Sequence, residues 1–380
     1  GKANLQPVAA AMLTRGTKTM TRSEIEDRMT ELKMAGSITN FTTTRKNLPA
    51  ALELVFDAMH NSIMPQDEFD QFKKQMQVMI ESMRDKPDAL AQNAITQHFN
   101  TYPKGDPRYE YSLDESLEQL NKLTVDQVRA FYKEFGGTSR GEISIVGDFD
   151  PKTVEKIIRD DYAKYVSKAH YAPVVTEYRP VKATRVVIDT PDKENAIIVA
   201  RSVFPINDTA PDAPALTVAN WILGGGTGLS NRLIERLRQK EGLSYGAGSH
   251  VRIPAKGDNG SFVFRAIVAP QNMLQAEASA RDVIAKAIKD GFTDQEVEEA
   301  KKGLLQAMQV ARSQDDVVAR SWNDKMENQR TWVFSKKQAE AISKLTTADV
   351  NAALRKYIKP DEITFVLAGD QKKAAQKKQD

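Results

Sequence analysis

No cysteine occurs among the 380 residues. That excludes a disulfide scaffold, a thiol nucleophile and any thiolate metal site. Histidine is scarce too: His60, His98, His170 and His250 are the whole complement, and no two lie within five residues of each other. A helical His-x-x-x-His zinc site cannot be built from them. Neither sign of charge dominates, since 54 Lys and Arg stand against 51 Asp and Glu for a net +3. This balance argues against a nucleic-acid binder and against an acidic tail protein. No apolar run reaches the ~18 residues that a membrane-spanning helix needs. The length suits two domains at the usual size of about 100–200 residues each.

What the chain does contain is a repeat of itself. Lys122-Leu123-Thr124, followed by Asp126 and Val128, recurs 222 residues later as Lys344-Leu345-Thr346, followed by Asp349 and Val350. Each copy continues as an amphipathic helix and then as a β-rich run ending in Gly-Asp, Gly147-Asp148 in one and Gly369-Asp370 in the other. Earlier segments match in order. A strand at 37–44 and a helix at 47–60 correspond to a strand at 261–268 and a helix at 272–289. Two long helices follow, one opening at Pro65–Phe69 with Asp67 as its expected cap, the other opening with the Thr293/Glu296 capping box. The second unit has two further strands at its front, 185–188 and 196–204, while the first has none. By the logic of repeats, about 25–30 residues are expected upstream of the first unit, whose sheet is expected to have an unpaired edge and a tendency to self-associate.

The expected fold is α+β, a two-layer α/β arrangement of two homologous domains, each a mainly antiparallel sheet packed with helices. The first spans 1–168 and lacks its front strands. A Pro-containing linker without periodicity follows at 169–183, then the second domain at 184–370 and a polar Lys/Gln-rich tail at 371–380.

The stretch most able to carry function runs from Trp221 through Gly224-Gly225-Gly226 to Arg238, Gly242 and Tyr245. A helix is expected to end at the glycines. Ser230 is placed to cap the next helix, with Leu233, Ile234 and Leu237 as its buried stripe and Gly242 as its stop. A strand follows, with Leu243, Tyr245 and Ala247 on one face and Ser244, Gly246 and Gly248 on the other. The glycines lack the Lys-Ser/Thr of a phosphate loop and the preceding strand of a dinucleotide site. They read either as a turn needing positive φ or as a backbone-exposing loop that contacts a peptide. By residue chemistry alone, Arg238 complements a helix C-terminus and Tyr245 covers a sheet surface.

The pattern Ser230, Arg232-Leu233, Leu237-Arg238, Lys240, Gly242-Leu243 and Tyr245 resembles the signature of the insulinase/pitrilysin/mitochondrial processing peptidase family of zinc peptidases, the inverzincins. The likeness covers nearly the whole chain, including Met12-Leu13 with Gly16-Thr17, Arg45–Pro49 and the two Lys-Leu-Thr helices. It implies halves of two α/β domains each, closing like a clamshell on an unfolded peptide. In the active half, His-x-x-Glu-His would precede the Met-Leu pair; here Pro7, Ala10 and Ala11 occupy those places, and Glu81 lies near the third-ligand region.

The resemblance thus implies the non-catalytic half, inactive alone. It would have no metal and no cofactor of its own, zinc being expected only on the partner half. Arg238 and Tyr245, with Gly224, Gly225 and Gly226, would contact substrate in an open, peptide-sized cavity. The implied partners are a catalytic half, in the same polypeptide or separate, and a peptide; nucleic acid and a membrane span are not expected. The alternative reading is a structural, assembly or peptide-binding subunit. Likeness to long bacterial members suggests the periplasm, with the cytoplasm as the alternative.

Overall fold

The computed structural model describes residues 5–226 and 231–375. Its first half is chiefly helical. α1 (Leu5–Met12), α2 (Arg22–Glu31), β1 (Ala35–Ser37), β2 (Asn40–Thr42) and α3 (Leu48–Asn61) come first. α4 (Gln66–Met83), α5 (Pro87–His98), α6 (Leu113–Lys122), α7 (Val125–Phe135) and α8 (Pro151–Asp160) follow. The second half runs β3 (Arg185–Asp189), β4 (Ala196–Pro205), α9 (Ala213–Asn220), α10 (Arg232–Ile234), β5 (Ser244–Arg252) and β6 (Asn259–Val268). It continues through α11 (Met273–Asp290), α12 (Asp294–Ala311), α13 (Asp315–Glu327), α14 (Trp332–Lys344), α15 (Thr347–Tyr357), β7 (Thr364–Gly369) and α16 (Gln371–Ala375). The class is mixed helix and sheet. No helix among the described residues is long and apolar enough to cross a membrane.

The second half contains the larger sheet, in the order β3-β7-β4-β6-β5. β3 lies parallel to β7, and the remaining pairs are antiparallel. β3 and β4, consecutive in sequence, are not neighbours, because β7 sits between them. One face carries Ile198, Ala200, Phe262, Phe264 and Phe365 into a core with α9, α11 and α15. The opposite face carries Ile197, Val199, Val366 and Ala368. Both faces are covered, so β4 reads as an almost continuous apolar run without alternation.

The cover on the opposite face comes from the first half. Ala91 and Ile95 of α5 are buried against Ile197, Val199 and Val366. Between Lys164 and Arg185 the chain has no helix or strand, yet it is tied down on both sides. Arg179 donates to the Thr101 carbonyl at 3.0 Å, and the Tyr178 N–H donates to Asp258 at 2.7 Å.

The first half departs from its expected sheet. The strand expected at 37–44 is a tight hairpin, β1 against β2, turned where Ser37 Oγ accepts the Asn40 N–H at 3.2 Å. The β-rich run before Gly147 forms no ladder among the described residues. A ladder needs a neighbouring strand to satisfy its backbone groups, and none lies beside this run; Ile143 is exposed, while Ile145 packs on the cluster around Val154. The cap expected from Asp67 is also absent. Pro65 holds the N-cap place of α4, and no side chain bonds there. At Thr293, by contrast, the capping box forms as expected, and the two Lys-Leu-Thr copies each open a helix through a capping box, Thr124 with Gln127 and Thr346 with Asp349.

Candidate functional site

α9 ends in a π-helical turn, Trp221–Gly225, closed by the Gly226 N–H donating to the Trp221 carbonyl at 2.9 Å. A second π-helical segment, Glu235–Lys240, follows α10. The extra residue in a π turn costs hydrogen-bond geometry and is found mostly where function re-aims a side chain. Arg238 stands on this second segment.

The glycines are packed. A Cβ on Gly224 would lie 2.5 Å from Ser249 Oγ and 2.7 Å from both Leu233 Cδ1 and the Ser249 backbone nitrogen. Gly225 lies against Asn220, and Gly226 against Trp221. None of Gly224, Gly225 and Gly226 takes positive φ, Gly226 being extended at φ −65°, and at Gly224 it is the close approach of β5 that requires glycine. Ser230 lies outside the described residues. Asn231 caps α10, its side chain accepting from the Ile234 N–H at 2.9 Å. Leu233 and Leu237 are buried, and Gly242 adopts φ +60° before β5.

β5 is an edge strand of the large sheet, and its pairing slips by one residue at Tyr245. Ser244 sits opposite Val268 and Gly246 opposite Ile267, leaving Tyr245 as the extra residue of a β-bulge. Ser244, Ala247, Ser249 and Val251 therefore share the helix-packed face with Val268, Ala266, Phe264 and Phe262. Gly246, Gly248 and His250 take the other face. The simple alternation expected from sequence is broken at the residue it placed with Leu243 and Ala247. The buried Ser244 hydroxyl secures the bulge by accepting the Gly246 N–H at 3.1 Å and lying 2.8 Å and 3.0 Å from the Gly246 and Ile267 carbonyls. Tyr245 is 66% exposed, the largest exposed fraction among the bulky apolar and aromatic residues of the described chain.

Four cations lie on or beside the π-helical segment, and three have partners. Arg232 makes two hydrogen bonds to Glu296, at 2.6 and 2.8 Å, and one to the Gly291 carbonyl at 3.0 Å. Burial opposes ionisation of Glu296, but the Arg232 hydrogen bonds and the Thr293 N–H outweigh it and hold the carboxyl below its ordinary range. Arg236 pairs with Glu241, and Lys240 with Glu235 at 2.8 Å. Arg238 is exposed and forms no ion pair among the described residues. Two clefts among the described residues are lined by neither Arg238 nor Tyr245. One cleft, of 380 Å³, is lined by Arg45, Leu48 and Phe149; another, of 490 Å³, by Arg312, Trp332 and Val333. Tyr245 stands on the open edge of the sheet, and Arg238 on the π-helical segment before it.

Pro7, Ala10 and Ala11 lie on α1, with Pro7 and Ala10 exposed. Glu81 pairs with Arg84 at 3.2 Å. Among the described residues no group of three or more His, Cys, Asp or Glu is placed to hold a metal ion.

Comparison with known proteins bears on this arrangement. The family model described as the peptidase M16 inactive domain matches residues 122–304, which include the glycines, both π-helical segments and β5. Residues 122–304 thus carry the likeness to the M16 inactive domain in sequence. A solved peptidase M16 inactive domain from Pseudomonas fluorescens superposes with a TM-score of 0.79 at 21% identity, covering 95% of this chain and 87% of that one. An uncharacterized zinc protease of Mycobacterium tuberculosis is 24% identical over 299 residues, 75% of this chain and 66% of that protein. The non-peptidase homolog YmxG of Helicobacter pylori is 20% identical over 259 residues, 67% of this chain and 58% of that protein. The chain thus spans less than two thirds of either relative's length. The bulge, the π turns and the edge position of β5 escape sequence reasoning; the one available signal was glycine inside a strand pattern, which marks bulges.

Proposed function

We propose that this M16 inactive domain is the non-catalytic half of a zinc metallopeptidase, closing over an unfolded peptide and presenting Arg238 and Tyr245 to the bond being cleaved on its partner half. The observation that supports the reading is the exposure of both residues on consecutive elements. Tyr245 is thrust out by a bulge on an edge strand, and Arg238, which forms no ion pair among the described residues, comes seven residues before it on the preceding π-helical segment.

Peptide hydrolysis on the partner's zinc develops negative charge on the carbonyl oxygen. A guanidinium contributes fixed positive charge and N–H donors there, and a phenol contributes a neutral O–H donor. The open edge of β5 also suits an extended peptide added as a strand, its main chain satisfied by the edge and its side chains alternating. An open edge accords with a site that two halves complete together. Gly224 would serve by letting the end of α9 approach β5 closely, so that the edge is held rigid beneath the peptide, while Gly225 and Gly226 pack on Asn220 and Trp221.

The test is reconstitution with a catalytic half. Arg238→Ala and Tyr245→Phe are expected to lower kcat by roughly 10²-fold, as for a lost oxyanion donor, with the complex intact by sedimentation. Unchanged turnover in both would remove the role. A second reading, a peptide-binding or assembly subunit without catalytic duty, is favoured by the likeness to the non-peptidase homolog. It predicts peptide binding with no gain in turnover when any catalytic half is added.

A further inference from the structure

Two arginines, Arg201 of the central strand β4 and Arg252 of the edge strand β5, form no ion pair among the described residues. Arg201 of β4 is opposite Val263 of β6, and Val263 is opposite His250 of β5, so Arg201 and His250 flank one apolar residue on the face that α5 partly covers. Arg252 lies two residues beyond His250 on that face. Arg201 is half-buried, its guanidinium 4.8 Å from the centre of the Phe99 ring, and its Nε is shut from solvent without a hydrogen-bond partner. Arg252 is exposed and makes no ion pair among the described residues.

Other cations nearby differ. Arg265 is paired with Asp88 at 2.6 Å, and Arg108 with Asp106 at 2.7 Å. Burial, and then the charge of Arg252, push the Arg201 pKa down; Glu110 acts in the opposite sense but forms no ion pair with it. Two guanidinia that repel one another, one of them partly desolvated, are stabilised by an anion between them.

The position of Arg252 along β5 says which anion. Gly246, Gly248, His250 and Arg252 succeed one another on one face. Beyond Tyr245 the strand is first bare and then cationic, with Arg252 about 20 Å along it. Resting on the reading of β5 as a peptide-holding edge, we propose that Arg201 and Arg252 form a carboxylate subsite, selecting an acidic group about six residues along an extended peptide from the position held at Tyr245. Arg252 is the exposed arm that meets the ligand, and Arg201 is the fixed charge behind it.

The experiment is fluorescence anisotropy of the full chain with labelled, unfolded twelve-residue peptides. Glu is walked through an otherwise neutral sequence against Gln at the same place, and each peptide is made with a free and with an amidated C-terminus. The expected result is about 10-fold tighter binding for Glu at one position, or for the free terminus at one length, the scale of a charge-assisted hydrogen bond. Either arm supports the subsite and identifies the source of the carboxylate. Arg252→Gln, an exposed position, should abolish the preference while leaving neutral-peptide affinity unchanged, and Arg252→Glu should reverse it in favour of Lys. Equal binding of all peptides overturns the subsite and leaves the peptide-holding edge standing. Failure of every peptide to bind overturns that reading, and the subsite with it.

Discussion

Gly224 and Gly246 separate two demands made on glycine in one short stretch. A methyl at Gly224 meets Ser249 and Leu233 at under 3 Å, whereas one at Gly246 meets nothing within 4 Å. Gly224→Ala is therefore expected to lower stability by about 1–3 kcal/mol, the range for overpacking. Gly246→Ala should be near neutral in stability and, by filling the bare face of the edge strand, should weaken peptide binding. Urea midpoints of the two variants check this. Glu277 makes a pH prediction at the same scale. Burial alone would raise its carboxyl, but Arg185 and Arg281, at 2.8 Å each, outweigh burial and hold it below its ordinary 4.5. A depressed carboxyl stabilises the fold fully above the unfolded value and loses that contribution as pH falls through the folded one. Glu277→Gln should cost about 1–3 kcal/mol at neutral pH and flatten the decline in Tm below pH 4.5.

Among elements, the bulge at Tyr245 depends on one buried hydroxyl. Ser244→Ala removes the acceptor of the Gly246 N–H and the donor to the neighbouring carbonyls. It should destabilise the chain by about 1–2 kcal/mol, and amide exchange at Gly246 should accelerate more than at Ala266, in the adjoining strand. Equal protection at both would mean that the bulge is held by β6 alone. The capping boxes at Thr124 and Thr346 stand at the same place in their two Lys-Leu-Thr copies, 222 residues apart. Helices α3–α4–α5–α6–α7 and α11–α12–α13–α14–α15 follow in the same order. Both facts support a duplication. The sheets of the two halves do not match in the same way: one has two strands and the other five.

Over the whole molecule, α5 packs the first half against the second half's sheet, and the two are expected to unfold together. Ile95→Ala removes a buried side chain from the layer over Ile197 and Val199. It should cost about 2–5 kcal/mol and shift a single unfolding transition. Two separated transitions in calorimetry would show instead that the halves unfold independently. Dialysis against a strong chelator should leave Tm unchanged, since no metal-ligating group is assembled among the described residues.

Much was legible in the sequence because it is local. Helix starts at Thr124, Thr293 and Thr346 follow from side chains that bond their own backbone three residues on. The strands β4, β6 and β7 follow from dense β-branched and aromatic runs, and Leu233 and Leu237 follow from helical spacing. The Arg238–Tyr245 segment was recognisable as a pattern, but its shape was not. The bulge depends on how β6 pairs with β5, and the π-helical segments on how closely α9 and α10 approach β5. Those are relations between segments distant in sequence, which period and propensity do not encode. The same holds for β7 lying between β3 and β4, and for α5 covering the second half's sheet. Arg201 and Arg252 were invisible for the same reason: in sequence they are two among 54 basic residues, and only the pairing of β4, β6 and β5 puts them on one face.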